Sequence, residues 1–190
     1  SMKHLNRLAA LLLLLIVPVS HAWADEYTDT IKVFRNAGES GNFFNNSYGY
    51  AVFPTIGKGG MVIGGAYGKG RVYTGGNHVG DTSMTQVTVG FQLGGEAYSQ
   101  IIFFEDKRAF EEFTSGNFEF SATASAVAIT AGASAAATTT GSSAGASGGK
   151  NDATTKSAGY YKGMAVFTVA KGGLMYEASI GGQKFSYTPK

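Results

Sequence analysis

The sequence predicts an α+β fold, mainly antiparallel β, whose sheet curls into a sandwich or small barrel with two short peripheral helices. Three observations lead there. Glycine is abundant, 28 residues without a G-x-y period, which suits a chain of many tight bends. Short apolar segments alternate with a period of two, as half-buried strands do. The stretch Tyr48 to Tyr73, YGYAVFPTIGKGGMVIGGAYGKGRVY, is echoed near the C-terminus. Ala51-Val52-Phe53 leading to Lys58-Gly59-Gly60 returns as Ala165-Val166-Phe167 leading to Lys171-Gly172-Gly173. Each copy reads as a strand, a bend carrying Lys-Gly-Gly, and another strand.

Residues 1–24 read as a leader rather than as fold. Ser1 ahead of Met2 reads as a fusion scar; Lys3 and Arg7 form a positive start, Leu8 to Val17 an apolar run, and Ala22-Trp23-Ala24 a cleavage signal. The run falls short of the ~20 residues of a membrane helix, so a secretory signal cleaved after Ala24 is expected, leaving 25–190 as a single domain. Of 15 Lys and Arg, two lie in this leader, so 13 basic residues face 13 acidic ones in the remainder. That neutrality excludes broad nucleic-acid binding, which needs excess Lys and Arg. With no cysteine, packing and backbone pairing must hold an exported chain together, and there is no thiol for a lipoprotein anchor.

Residues 25–37 read as a short amphipathic helix with Tyr27, Ile31 and Phe34 on one face and Gly38 closing it. A helix laid on a sheet edge is the readier reading than one lying on a membrane. Phe43 and Phe44, between turn-forming asparagines, either plug the core or sit exposed for a partner, and the core is the readier reading. Gly75 to His78 reads as a turn, and Val87, Val89, Phe91 and Leu93 alternate with polar or small residues as a strand. Glu96 to Phe104 is another strand, ending in a run apolar on both faces. Asp106 caps a helix through Thr114, with Phe110 and Phe113 inward and Gly116 at its end. Phe118 and Phe120 begin a strand that fades near Ile129. Residues 131–158 are almost wholly Ala, Ser, Thr and Gly, too poor in apolar surface to offset chain ordering, and are expected to form a mobile loop. Tyr160–Val169, Leu174–Ile180 and Gln183–Tyr187 complete the strands.

Catalytic patterns are nearly absent. His78 is the one histidine past the leader, and with no cysteine the usual zinc sets are excluded. G-x-S-x-G occurs around Ser143 and Ser147, but in the small-residue stretch and without a later histidine. Gly64 to Gly70 lacks the spacing and the Ser or Thr of a phosphate loop. No enzyme, cofactor or metal is expected. What remains is Lys58, Lys69, Arg71 and Lys171 beside Gly59, Gly60, Gly172 and Gly173. Glycine-rich bends turn N–H groups toward an anion, and with the two units side by side Lys58 and Lys171 would face one phosphate group. Ordinary solvated turn lysines are the competing reading.

Tyr50-Ala-Val-Phe-Pro54, Lys58-Gly-Gly60, Gly64-Gly65-Ala-Tyr67-Gly-Lys-Gly70, Phe103-Phe104 before a helix, and Lys171-Gly-Gly173 with Ala178-Ser179-Ile180 and Gly182 together resemble the SYLF domain, over roughly Tyr48 to Phe185. The resemblance implies a non-enzymatic lipid-binding module. Eukaryotic members bind phosphoinositides and other acidic lipids, and bacterial members are exported. It makes Lys58, Lys69, Arg71 and Lys171, with Gly59, Gly60, Gly172 and Gly173, candidates for holding phospholipid head groups. Ile56, Phe43 and Phe44 would dip into the membrane interface. The expected place is the periplasm or envelope, with peripheral, reversible membrane contact and no nucleic-acid partner. The alternative is an integral outer-membrane β-barrel or a structural envelope protein. The helix after Asp106, the polar small-residue stretch and the absence of a terminal aromatic argue against the barrel.

Overall fold

The computed structural model describes residues 26–58, 65–87, 97–129, 159–171 and 178–190, the side chains of Lys58 and Ala178 excepted. Helix α1 covers 26–36. Then follow α2 (Phe43–Asn46), β1 (Gly49–Lys58), β2 (Ala66–Thr74), β3 (Asn77–Gln86), β4 (Ala97–Phe104), α3 (Lys107–Phe113), β5 (Ser125–Ile129), β6 (Met164–Ala170), β7 (Ala178–Ser179) and β8 (Lys184–Pro189). The sheet order is β7-β5-β6-β4-β1-β2-β3-β8. Every neighbouring pair is antiparallel except β5 with β6. The sheet curls until its two ends meet: Phe120 and Phe185 donate backbone N–H groups to Gln183 and Phe118, and Ile180 donates to Ala124. The expected α+β, mainly antiparallel, curled architecture is therefore the one observed.

Two cores lie on opposite faces of the sheet. Inside the curl, Phe53, Ile56, Met84, Ile102, Phe104 and Phe185 pack with Phe113 of α3. On the outer face, Val52, Ile101, Phe103 and Phe167 are covered by Phe34 and Ala37 at the end of α1 and by Phe43 of α2. The alternation along β4 feeds both cores, which explains its apolar run. Asp106 caps α3, its carboxylate accepting from the Ala109 N–H at 2.9 Å, and Gly116 follows at φ +89°. Gly75 and Gly76, at φ +57° and +81°, make the two-residue turn joining β2 to β3.

The glycines of β2 are strand residues that admit large neighbours. A Cβ on Gly70 would sit 2.6 Å from the Phe53 ring, and one on Gly68 would sit 2.7 Å from Ile56 Cγ1. Deeper in the curl the core turns polar. The Gln100 and Gln183 amides exchange hydrogen bonds of 2.8 and 2.9 Å, and Gln183 also donates to the Tyr98 hydroxyl. Gln86 donates to the Ser179 and Gly181 carbonyls.

Several expectations need correction. The turn at Gly75 opens directly into β3, a strand that sequence periodicity did not disclose, and His78 belongs to it. Phe118 and Phe120 precede β5, with Glu119 bridging to Lys184 alone. The alternating residues 88–94, the small-residue stretch 131–158, and 174–177 lie outside the described residues.

Two outcomes test this packing. Gly70→Ala overpacks Phe53 and is expected to cost about 1–3 kcal/mol, read from urea unfolding at an unchanged m-value. Gln100→Leu and Gln183→Leu singly each strand a buried amide, costing about 1–3 kcal/mol. The double variant is expected to lose less than their sum. Strict additivity would show that the pair does not act as a unit.

Candidate functional site

Lys58 and Lys171, which open the two Lys-Gly-Gly units, stand on either side of β4. Gly57 of β1 is opposite Ala97 of β4, and Lys58 follows it, next to Ala66 of β2. On the other flank the Lys171 N–H donates to the Ala97 carbonyl at 3.0 Å. Lys58 and Lys171 thus emerge at the same end of the sheet, but with one strand between them, so their backbones are about 10 Å apart at a spacing of ~4.8 Å per strand. The strands that lead into the two bends, β1 and β6, are therefore not neighbours, whereas sharing one phosphate called for units side by side. Lys171 is exposed. Gly59, Gly60, Gly172 and Gly173 lie outside the described residues.

Lys69 and Arg71 point outward from β2. Lys69 is exposed, between Thr55 and Ser83 in the register. Arg71 is occupied differently: its guanidinium lies 4.0 Å from the centroid of the Tyr27 ring, pinning α1 to the sheet. Burial raises the Tyr27 phenol pKa, and the Arg71 charge partly offsets that. Arg71 is therefore a structural cation more than a free one. Missed in the sequence was the polar outer surface around Lys69, where Tyr67 is exposed and Ser83 and Ser186 share a 2.7 Å hydrogen bond. Its signal, alternate Ser and Thr within a polar run, was present in 82–86.

The expected membrane contacts are corrected. Ile56 is fully buried inside the curl. Phe43 is a core side chain, its ring 5.4 Å from Phe103, 5.1 Å from Tyr160 and 5.2 Å from Phe167. Phe44 is half-buried, edge-on to Phe103 and beneath the Arg35 guanidinium. These rings fasten α2 to the sheet.

The described residues thus form a curled, mainly antiparallel sheet backed by an amphipathic helix, with Lys58 and Lys171 at one end. The chain belongs to the SYLF family: residues 85–186, more than half of it, match the Ysc84 family, described as Las17-binding protein actin regulator. Beta cell expansion factor A of Aeromonas veronii is 29% identical over 162 residues, which is 83% of this chain and 52% of the relative. The chain thus spans about half the length of that curated relative.

The α2 contact has a testable pH signature. The Tyr160 hydroxyl donates toward the Asn46 carbonyl and side-chain oxygens at 3.2 Å. Burial, with the Glu105 charge adding to it, pushes its pKa up to about 12. An unfolded chain ionises this phenol near 10, so between about pH 10 and 12 the folded state holds the extra proton and stability falls as pH rises. Tyr160→Phe is expected to flatten that alkaline loss in melting curves taken from pH 9 to 11.5; an unchanged slope would assign it to other groups.

Proposed function

We propose that this protein is an exported, non-enzymatic phospholipid-binding module that contacts the membrane with the end of the sheet bearing Lys58 and Lys171. Family membership supports a module of lipid-binding or actin-regulating type, and the arrangement of cations favours lipid. One observation carries the reading: two Lys-Gly-Gly units, far apart in sequence, begin at the same end of one sheet on either flank of Ala97. Acidic head groups, phosphoinositides among them, are the ligands such a pair suits. Lys69, exposed about three residues further along β2, adds charge beside it. The leader-like residues 1–24 support export to the periplasm or envelope. Packing supports this reading over an integral barrel, because α1 and α2 bury outward side chains of β1, β4 and β6 that a barrel would turn to lipid.

Flotation with liposomes containing phosphatidylglycerol tests it. Each basic residue near such a surface contributes about 1 kcal/mol, so Lys58→Ala with Lys171→Ala should weaken binding roughly ten- to thirtyfold. The melting temperature should barely move, and added salt should weaken the wild-type interaction. Lys107→Ala with Lys190→Ala removes equal charge from the opposite end. Equal losses from both pairs would mean diffuse attraction, and no loss from either would remove head-group binding from this end.

A further inference from the structure

At the opposite end of the curl, away from Lys58 and Lys171, a cleft of about 380 Å³ opens between the 118–125 segment and the start of β6. Its size falls near the lower end of the ~300–1,000 Å³ usual for small-molecule sites. Phe118, Phe120, Met164, Val166 and Ile180 line it with apolar surface. Phe118 and Phe120 are only half-buried, although they sit edge-on to each other and both pack on Phe185. The cleft thus has an apolar wall continuous with the core, beside polar lining residues such as Ser121, Thr123 and Ser125.

The charged side chains lining its mouth are two carboxylates and one lysine, with two further bases just outside the lining. The two carboxylates lining it each have a base close by: Glu112 has Arg108 at 3.6 Å, and Glu119 has Lys184 at 3.8 Å. Lys162 also lines the mouth, its ammonium 5.5 Å from the centroid of the exposed Tyr161 ring. Arg108 lies on the same side, near enough that a Cβ on Gly163 would meet its guanidinium at 3.3 Å.

The backbone at Lys162 is a second, independent observation. Tyr161 and Met164 exchange backbone hydrogen bonds of 2.8 and 3.1 Å around a two-residue turn. That turn places Lys162 at φ +53° and Gly163 at φ +83°, and Lys162 is the one non-glycine residue at positive φ among the described residues. Such turns favour Asn, Asp or Gly at both positions. A lysine there is held against its own backbone preference, a kind of strain that gathers at functional sites.

From the apolar wall, the paired carboxylates and the strained cation, we infer that this cleft binds a single-chain anionic amphiphile, a long-chain carboxylate. Its hydrocarbon would lie along Phe118, Phe120, Met164 and Ile180, and its carboxylate would meet Lys162 and Arg108 at the mouth. The volume suits one chain, not the two of a diacyl phospholipid. This site does not depend on the membrane-facing end of the sheet.

Calorimetric titration of the full chain with dodecanoate, below its micellar concentration, tests the inference. One equivalent should bind, while dodecanol should bind roughly tenfold more weakly and dodecyltrimethylammonium more weakly still. Lys162→Gly relieves the turn and should keep or raise the melting temperature while weakening dodecanoate about three- to tenfold. Val166→Trp should fill the cleft and abolish binding; its circular dichroism spectrum reports whether the fold survives. Lys58→Ala with Lys171→Ala should leave dodecanoate binding intact, so failure here and failure of the membrane reading are separable. No binding by the wild type, equal affinity in Lys162→Gly, or preference for the cationic amphiphile would each overturn the assignment.

Discussion

β4 has to be covered on both sides, and the rest of the fold follows from that demand. Ile102 and Phe104 face into the curl, while Ile101 and Phe103 face out, and all four are fully buried. Left exposed, each such side chain would forfeit about 1.5–3 kcal/mol of burial. β1 and β6 satisfy the backbone of β4 along its two edges, but only added layers can cover its faces. The sheet curling on itself supplies the inner layer, with Phe53 and Phe185 converging beneath it. α1 and the single turn of α2 supply the outer layer. An amphipathic helix next to the sheet is thus a packing requirement of the central strand.

A tight curl leaves little room inside, and the composition reflects it. Gly68 and Gly70 give up their side chains so that Phe53 and Ile56 can occupy the space opposite. Where the curl holds Gln86, Gln100, Gln183 and Tyr98, polar groups fill it but satisfy one another or backbone carbonyls. Burying these amides is tolerable because each has partners, and the reciprocal Gln100–Gln183 pair joins β4 to the turn before β8 in a geometry a slipped register would break.

Where periodicity and local chemistry agreed, the sequence could be read. α1, β4 and the capped helix after Asp106 lie within a few residues of their expected bounds. β3 was hidden because Thr82 and Gln86 point inward with Met84, so its buried face does not look apolar. The parallel pairing of β5 with β6 is set by which strands the curl brings together, which no local signal encodes. Ile56, expected in a loop dipping into the membrane, lies within β1 and inside the curl, and strict alternation along the strand would not have placed it there either. Counting alternately from Ala51 and Phe53 puts it on the outer face, but the register shifts around Pro54 in the pairings with both β2 and β4. Proline within a strand marks such an irregularity, and one extra residue returns Ile56 to the core. Pro54 itself is fastened by the Ser99 hydroxyl donating to its carbonyl at 2.7 Å.

The same irregularity aligns the repeated lysines. Ile101 stands opposite Val52 on one side and Phe167 on the other, so the two Ala-Val-Phe triplets are out of step by one residue. Phe53 therefore faces the curl while Phe167 faces the helices. The segments between triplet and lysine also differ by one, four residues after Phe53 and three after Phe167. Uncorrected, those two offsets would carry Lys58 two levels past Lys171. The residue absorbed at Pro54 reduces the difference to one level, about 3.4 Å along the strand. The two lysine backbones, at nearly one height with β4 between them, stand about 10 Å apart. Backbones so spaced do not bring two bends onto one small anion, which is why the proposed partner is a surface of acidic head groups.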